Sequence, residues 1–288
     1  MNPTQTLPGA PDPTLAILAD TSPSAKAGRD HPATVAFTLR DLLVVTYAVP
    51  ADRLRPHVPE SIALDRILSP EGEQLALVQT ICAYHENARW SVLPDKAGGQ
   101  SFHQITYRAL TRRDGRRGAF ALRTYVSTDE GRAAQRALSR DADFARFSLY
   151  IAGDPARASY DTYTIRAQGD LGQTQIDLRA IPAPETTPFP FTTVEEMTAF
   201  LVDRPENYFR ASAPKTGIGL LPQVYGALPQ PTFAETVAPP RLSLLTTLRL
   251  LSPEDIGQPF AVLLFPAVNV TSFAPRFARF PSAVRENK

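Results

Sequence analysis

Apolar positions along this chain fall mostly in short runs with the spacing of strands. Residues 34–49 (TVAFTLRDLLVVTYAV) form a near-continuous apolar run rich in β-branched and aromatic residues, which predicts a buried strand ended by Pro50. Residues 50–65 set a short helical turn among prolines, and prolines here fix a loop rather than a helix. In 74–85 (QLALVQTICAYH) both alternating sets are moderately apolar, so the next strand is expected to be covered on both sides. Within 101–128, Asp114-Gly115 separates two strand-like runs and is a strong signal for a two-residue hairpin turn.

Helical spacing is rarer. Residues 130–147 carry Ala, Arg and Leu at the spacing of a surface helix. Thr193, three residues before Glu196, reads as a capping box that starts a second helix over 191–204. Further strands are expected near 148–151, 159–167, 174–180, 241–251 and 259–270, with a proline-punctuated segment at 214–240. Strands dominate and no internal repeat occurs. The fold class expected is mainly β (α+β), an antiparallel barrel or cone with about two peripheral helices.

Composition narrows this picture. The 288 residues can bury one large core, and residues 1–32, rich in Pro, Ser, Ala and Thr, read as a disordered arm ahead of a single domain at 33–288. With 30 basic and 29 acidic residues there is no long-range field for nucleic acid or an anionic membrane, and neither is expected as a partner. A single cysteine, Cys82, cannot form an internal disulfide and fits a reducing, cytoplasmic setting. The first residues lack a basic start, and Leu15–Leu18 is too short for a signal core or a membrane span. Homo-oligomerisation stays open.

Candidate chemistry concentrates on the hairpin. A straight ladder from the Asp114-Gly115 turn sets Gln104 opposite Tyr125, Thr106 opposite Arg123 and Arg108 opposite Ala121, all on one face. The other face carries His103, Ile105 and Tyr107 opposite Val126, Thr124 and Leu122, and reads as core. Gln104, Arg108, Arg123 and Tyr125 could line a lumen and hold an anionic or carbonyl-bearing ligand, since guanidinium groups bind carboxylates through paired hydrogen bonds. A solvated outer face is the competing reading. His31, His57, His85 and His103 lack the close pairing of a zinc site, so no metal is expected, and His85-Glu86 reads as a solvated strand end. No serine elbow, phosphate-cradling glycine loop or dinucleotide fingerprint occurs, and no cofactor is expected.

Three segments carry a family resemblance. YAVPADRLRPHVPESIALD (47–65), FHQITYRALTRRDGRRGAFAL (102–122) and ARFSLYIAGD (145–154), with FLVDRPENYF (200–209) as a weaker echo, resemble the YqjF-like family of the acetoacetate decarboxylase-like superfamily. The resemblance implies that superfamily's β-barrel or cone and a small-molecule site in its lumen. It also implies a Schiff-base lysine in the second hairpin strand, yet the chain has only Lys26, Lys96, Lys215 and Lys288, none of them there. Gln104 stands where the family usually has glutamate, and an amide shuttles no protons. The expectation is therefore binding of a small organic acid, ketone or polyketide-like molecule, with lyase or cyclase chemistry free of a covalent intermediate. The alternative is a non-catalytic binding or carrier protein. No catalytic residue is assigned.

Overall fold

The computed structural model describes residues 33–90, 99–154, 159–170, 172–213, 215 and 217–278. The N-terminal arm expected over 1–32 lies outside the described residues.

The first half of the chain builds a meander. Strand β1 (Ala33–Pro50) leads through a one-turn helix α1 (Ala51–Leu54) and two short strands, β2 (Ala63–Leu64) and β3 (Arg66–Leu68), into β4 (Gln74–Trp90). Strands β5 (Gln100–Arg113) and β6 (Arg116–Val126) form the expected hairpin. Its turn residues Asp114 and Gly115 both have positive φ, 51° and 78°, as such a tight hairpin requires. Helix α2 (Asp129–Ala137) and β7 (Asp143–Phe144) then precede an open arm of three strands, β8 (Arg146–Asp154), β9 (Ser159–Gly169) and β10 (Gly172–Ile181).

Helix α3 (Val194–Val202) returns the chain to the meander, where β11 (Glu206–Arg210) and β12 (Ile218–Tyr225) join β6. The remaining elements are β13 (Thr232–Thr236), β14 (Arg241–Leu242), helix α4 (Ser243–Thr247), β15 (Ala261–Phe273) and β16 (Arg276–Ala278). In hydrogen-bonded order the sheet runs β12-β11-β6-β5-β4-β1-β15, and β12 also pairs with β15 at residues 223–225. This last pairing brings the path back on itself as a cone, while β13-β10-β9-β8 continues from β15 as the arm.

Two cores follow from this topology. Inside the cone, Leu77, Leu110, Ala119, Leu263 and Phe265 pack around Met197, Phe200 and Leu201 of α3, which plugs one end. Outside it, Tyr47, Ile105, Tyr107 and Phe120 meet Tyr163, Ile165, Ile176 and Leu178 of the arm. Strands β1, β4 and β5 are therefore covered on both faces, as the apolar runs of β1 and β4 predicted and as the polar face of β5 did not by itself require.

Three local expectations are corrected. The helix over 130–147 stops at Ala137, and 143–154 is extended instead, because Ala145 donates its N–H to Val126 and β7 pairs with β6. Residues 241–251 hold only the two-residue β14 before turning helical at Ser243–Thr247. In the proline-punctuated segment, Ile218–Tyr225 is a strand despite Pro222, with β15 alongside it only from Gln223 onward.

Candidate functional site

The hairpin does not keep a straight register. From the turn to Arg108↔Ala121 the pairing is as expected, but the next pair is Tyr107↔Arg123, so Leu122 is an extra residue in a β-bulge. Beyond it every β6 side chain changes face. Thr124 comes to the face of Thr106, where their hydroxyls lie 3.4 Å apart. Arg123 and Tyr125 move to the outer face beside Tyr107 and Ile105. The four residues expected on one face are thus split, with Gln104 and Arg108 inward and Arg123 and Tyr125 outward.

Arg123 forms ion pairs with Asp143 (2.5 Å) and Asp170 (2.8 Å), and its guanidinium sits 6.0 Å from the Tyr125 ring. Tyr125 is buried against Gly169, whose missing Cβ leaves room for the ring. These two residues join the arm to the cone.

Gln104 and Arg108 line a cavity of about 90 Å³ inside the cone, several times the roughly 10–15 Å³ that one water requires. Along β5 the inward side chains run Phe102, Gln104, Thr106, Arg108, from the end covered by Ala134 and Gln135 of α2 to the floor above α3. Arg108 is buried and donates Nε–H to Gln79 Oε1 (2.8 Å), while Gln79 Nε2 donates to the Leu201 carbonyl (3.0 Å). Burial lowers the pKa of this guanidinium, and the nearby Tyr225 opposes the shift.

A second guanidinium, Arg140, lies just beyond α2 and also lines the cavity. Burial lowers its pKa to about 10, which leaves it charged at neutral pH, and it too faces Tyr225. No Asp, Glu or Lys stands among the lining residues. Two positive charges therefore converge in a cavity whose described walls offer no carboxylate, an arrangement that favours an anion.

Amides complete the polar wall. Gln135 Nε2 donates to Gln104 Oε1 (2.8 Å), and Gln104 Nε2 to Thr106 Oγ1 (3.0 Å). Asn207 Nδ2 and the Tyr225 hydroxyl both donate to Gln223 Oε1, at 2.7 and 3.2 Å. Gln135 is buried on the cavity wall with its Oε1 unpartnered, so it can accept a hydrogen bond from a ligand donor.

The opposite wall is apolar. His85 is no solvated strand end: β4 continues to Trp90, and the imidazole is buried on the cavity wall. It stacks between Phe37 (4.8 Å), a diagonal neighbour on β1, and Phe102 (4.9 Å), its partner on β5. Burial first, and then Arg140 and His103, push its pKa down to about 3, so the ring is neutral. Glu86 points outward and binds Arg40 (2.9 Å).

The quoted family segments support the cone. In 47–65, Arg55 donates to the carbonyls of Val58, Pro59 and Ile62, tying the proline loop together. Asp65 at its end pairs with Arg204 of the fourth segment at 2.5 Å, both fully buried under the cavity floor. Lys215 lies by the Phe277 ring (5.7 Å) and is not a lining residue. Among the described residues, no three His, Cys, Asp or Glu gather as a metal site. No helix among them is long and apolar enough to cross a membrane.

Sequence reasoning missed Arg140, Gln135, Asn207, Gln223 and Tyr225. The alternation Gln223, Tyr225 within 218–225 was the available signal, obscured by Pro222.

Solved structures share this architecture. Acetoacetate decarboxylase from Legionella pneumophila gives a TM-score of 0.58 at 11% identity, covering 96% of this chain and 98% of that one. The enduracididine biosynthesis enzyme MppR, with HEPES buffer bound, gives 0.54 at 12% identity over 88% of this chain and 91% of that one. An acetoacetate decarboxylase-like enzyme from Sphingomonas wittichii RW1 gives 0.51 at 10% identity over 84% and 92%. At such identities the likeness concerns the fold, and the acetoacetate decarboxylase-like cone expected from the sequence is the one observed. The sequence model for DUF2071, an uncharacterised conserved protein, matches residues 36–218. No curated protein matches the chain.

Proposed function

We propose that this chain, which belongs to the DUF2071 family, binds a small organic acid in its cone, with the acid group between Arg108 and Arg140. The observation that carries this reading is the convergence of the buried Arg108 guanidinium and the half-buried Arg140 guanidinium in a cavity whose described walls hold no carboxylate. Gln104 and Tyr225 orient the bound group by hydrogen bonding. Our narrower placement beside YqjF-like proteins rests on the segments 47–65 and 102–122.

The chemistry open to such a site is limited by what lines it. A Schiff base needs an amine, and no lysine is among the lining residues. A neutral imidazole with a pKa near 3 is a weak base, so His85 is a poor proton acceptor. Paired guanidiniums can stabilise an enolate formed from a bound keto acid, which supports non-covalent lyase or cyclase chemistry. The same scarcity of acid–base groups favours the second reading, a carrier that binds without reacting. A fully buried Cys82 and near-neutral charge fit a cytoplasmic protein with a small-molecule partner, not nucleic acid or membrane.

Native mass spectrometry of the purified protein, with calorimetric titration of candidate acids, tests the reading. Arg108→Ala is expected to weaken acid binding by roughly 2–5 kcal/mol, the scale for removing one partner of a buried charge pair. Unchanged acid affinity in this variant refutes the site. Proton exchange at the α-carbon of a bound keto acid, followed by NMR, separates the two readings: exchange above the solution rate indicates an enzyme, and its absence a carrier. Borohydride treatment with a ketone should leave Lys215 unmodified.

A further inference from the structure

The cavity is chemically two-sided, and its apolar side sets a condition on the ligand that the guanidiniums do not. Strands β5, β11 and β12 contribute Arg108, Gln104, Asn207, Gln223 and Tyr225, while β1, β4 and β15 contribute Phe37, Leu39, Ile81, Ala83 and Val270. A ligand that is small and polar throughout, such as a two- or three-carbon keto acid, would satisfy the first wall and leave the second without contact. Phe37, His85 and Phe102 stack from strand to strand, with interplanar angles of 26° and 10°. Rings stacked along the sheet turn their edges to the lumen. Aromatic edges carry the positive end of the ring quadrupole and favour the face of another ring in a T-shaped contact.

Building on the anion reading above, we infer that the occupant is an aryl-bearing carboxylic acid, its carboxylate between Arg108 and Arg140 and its ring on the edges of Phe37, His85 and Phe102. Position along β5 sets the ligand's length. Phe102 and Arg108 are six positions apart on one strand, about 20 Å at roughly 3.3 Å per residue. Both side chains reach inward from those ends, so a ring and a carboxylate separated by a short linker fit better than benzoate. The neutral state of His85 keeps this wall free of charge.

The test is calorimetric titration of the full-length protein with 3-phenylpropionate, acetate, pyruvate and the neutral 3-phenylpropionamide. Phenylpropionate is expected to bind at least roughly tenfold more tightly than acetate or pyruvate, because its ring buries apolar surface that they lack. It should also bind at least roughly tenfold more tightly than its amide, which cannot pair with the guanidiniums as an ion. Phe37→Ala should weaken phenylpropionate by about tenfold while leaving pyruvate unchanged. Arg140→Met should weaken every acid. If pyruvate binds as tightly as phenylpropionate and Arg140→Met weakens both, the aryl inference is overturned and the anion reading stands. If acids bind without regard to Arg108→Ala and Arg140→Met, both fall.

Discussion

Arg204 and Arg140 both face the interior of the cone, and their neighbours divide them by role. Arg204, fully buried, is held by Asp65 at 2.5 Å and lies over the Phe200 ring. Asp65→Asn should therefore cost roughly 3–5 kcal/mol in urea denaturation, since it strands a buried charge. For Arg140 the expectation is the reverse, because no carboxylate lines its cavity. Arg140→Met should leave unfolding free energy unchanged or raise it by about 1 kcal/mol, while acid binding falls. A stability loss like that of Asp65→Asn would make Arg140 a structural residue.

His85 supplies a pH prediction at the same scale. Its folded pKa, about 3, lies below the ordinary 6.5, so below pH 6.5 the unfolded chain takes up a proton that the folded one refuses. Stability is full above about pH 6.5 and declines as pH falls. The contribution of this residue should drop by about 2 kcal/mol between pH 7 and pH 5. His85→Phe, which keeps a ring between Phe37 and Phe102, should remove that part of the pH dependence in paired denaturation curves. Equal slopes in the two proteins would contradict the burial argument.

At the scale of elements, the two nine-residue helices do different work, and both start on threonine caps. Thr193 Oγ1 accepts the Glu196 N–H (3.0 Å), while the Glu196 carboxylate accepts from Thr192 instead of the cap residue itself. Thr193→Ala should lower stability by about 1 kcal/mol, because α3 carries the plug of the cone. Thr128 caps α2 in the same way, through the Gly131 N–H. The Thr193 cap and the Asp114-Gly115 turn were legible because each is a local pattern with a local cause, whereas the Thr128 cap was not read. The bulge at Leu122 was not, since no glycine or special backbone signal marks it. It resolves a packing conflict between Arg123, whose carboxylate partners are on the arm side, and a straight ladder that would point it into the cone. Deleting Leu122 should restore the straight ladder and cost roughly 3 kcal/mol or more by breaking these pairs and displacing buried Tyr125.

For the whole molecule, the ordered sheet opens at Ala33, and we propose that residues 1–30 add nothing to the core. Their removal should shift the melting temperature by no more than about 1–2 °C, a change of roughly 0.5–1 kcal/mol for a chain of this size. A larger drop would mean that the segment packs on the cone. The sequence by itself determined the strand-rich class, the hairpin, the helix starts and the shared face of Gln104 and Arg108, because these follow from local periodicity and turn chemistry, while whether that face is lumen or solvent was left to the tertiary structure. Only the tertiary structure decided that Arg123 and Tyr125 face the arm, that His85 is a cavity wall, and that Arg140 and Tyr225, 85 positions apart, meet beside Arg108. The reason is physical: a cavity wall is assembled from one or a few residues of each strand in a ring, and which strands become neighbours is set by global sheet closure.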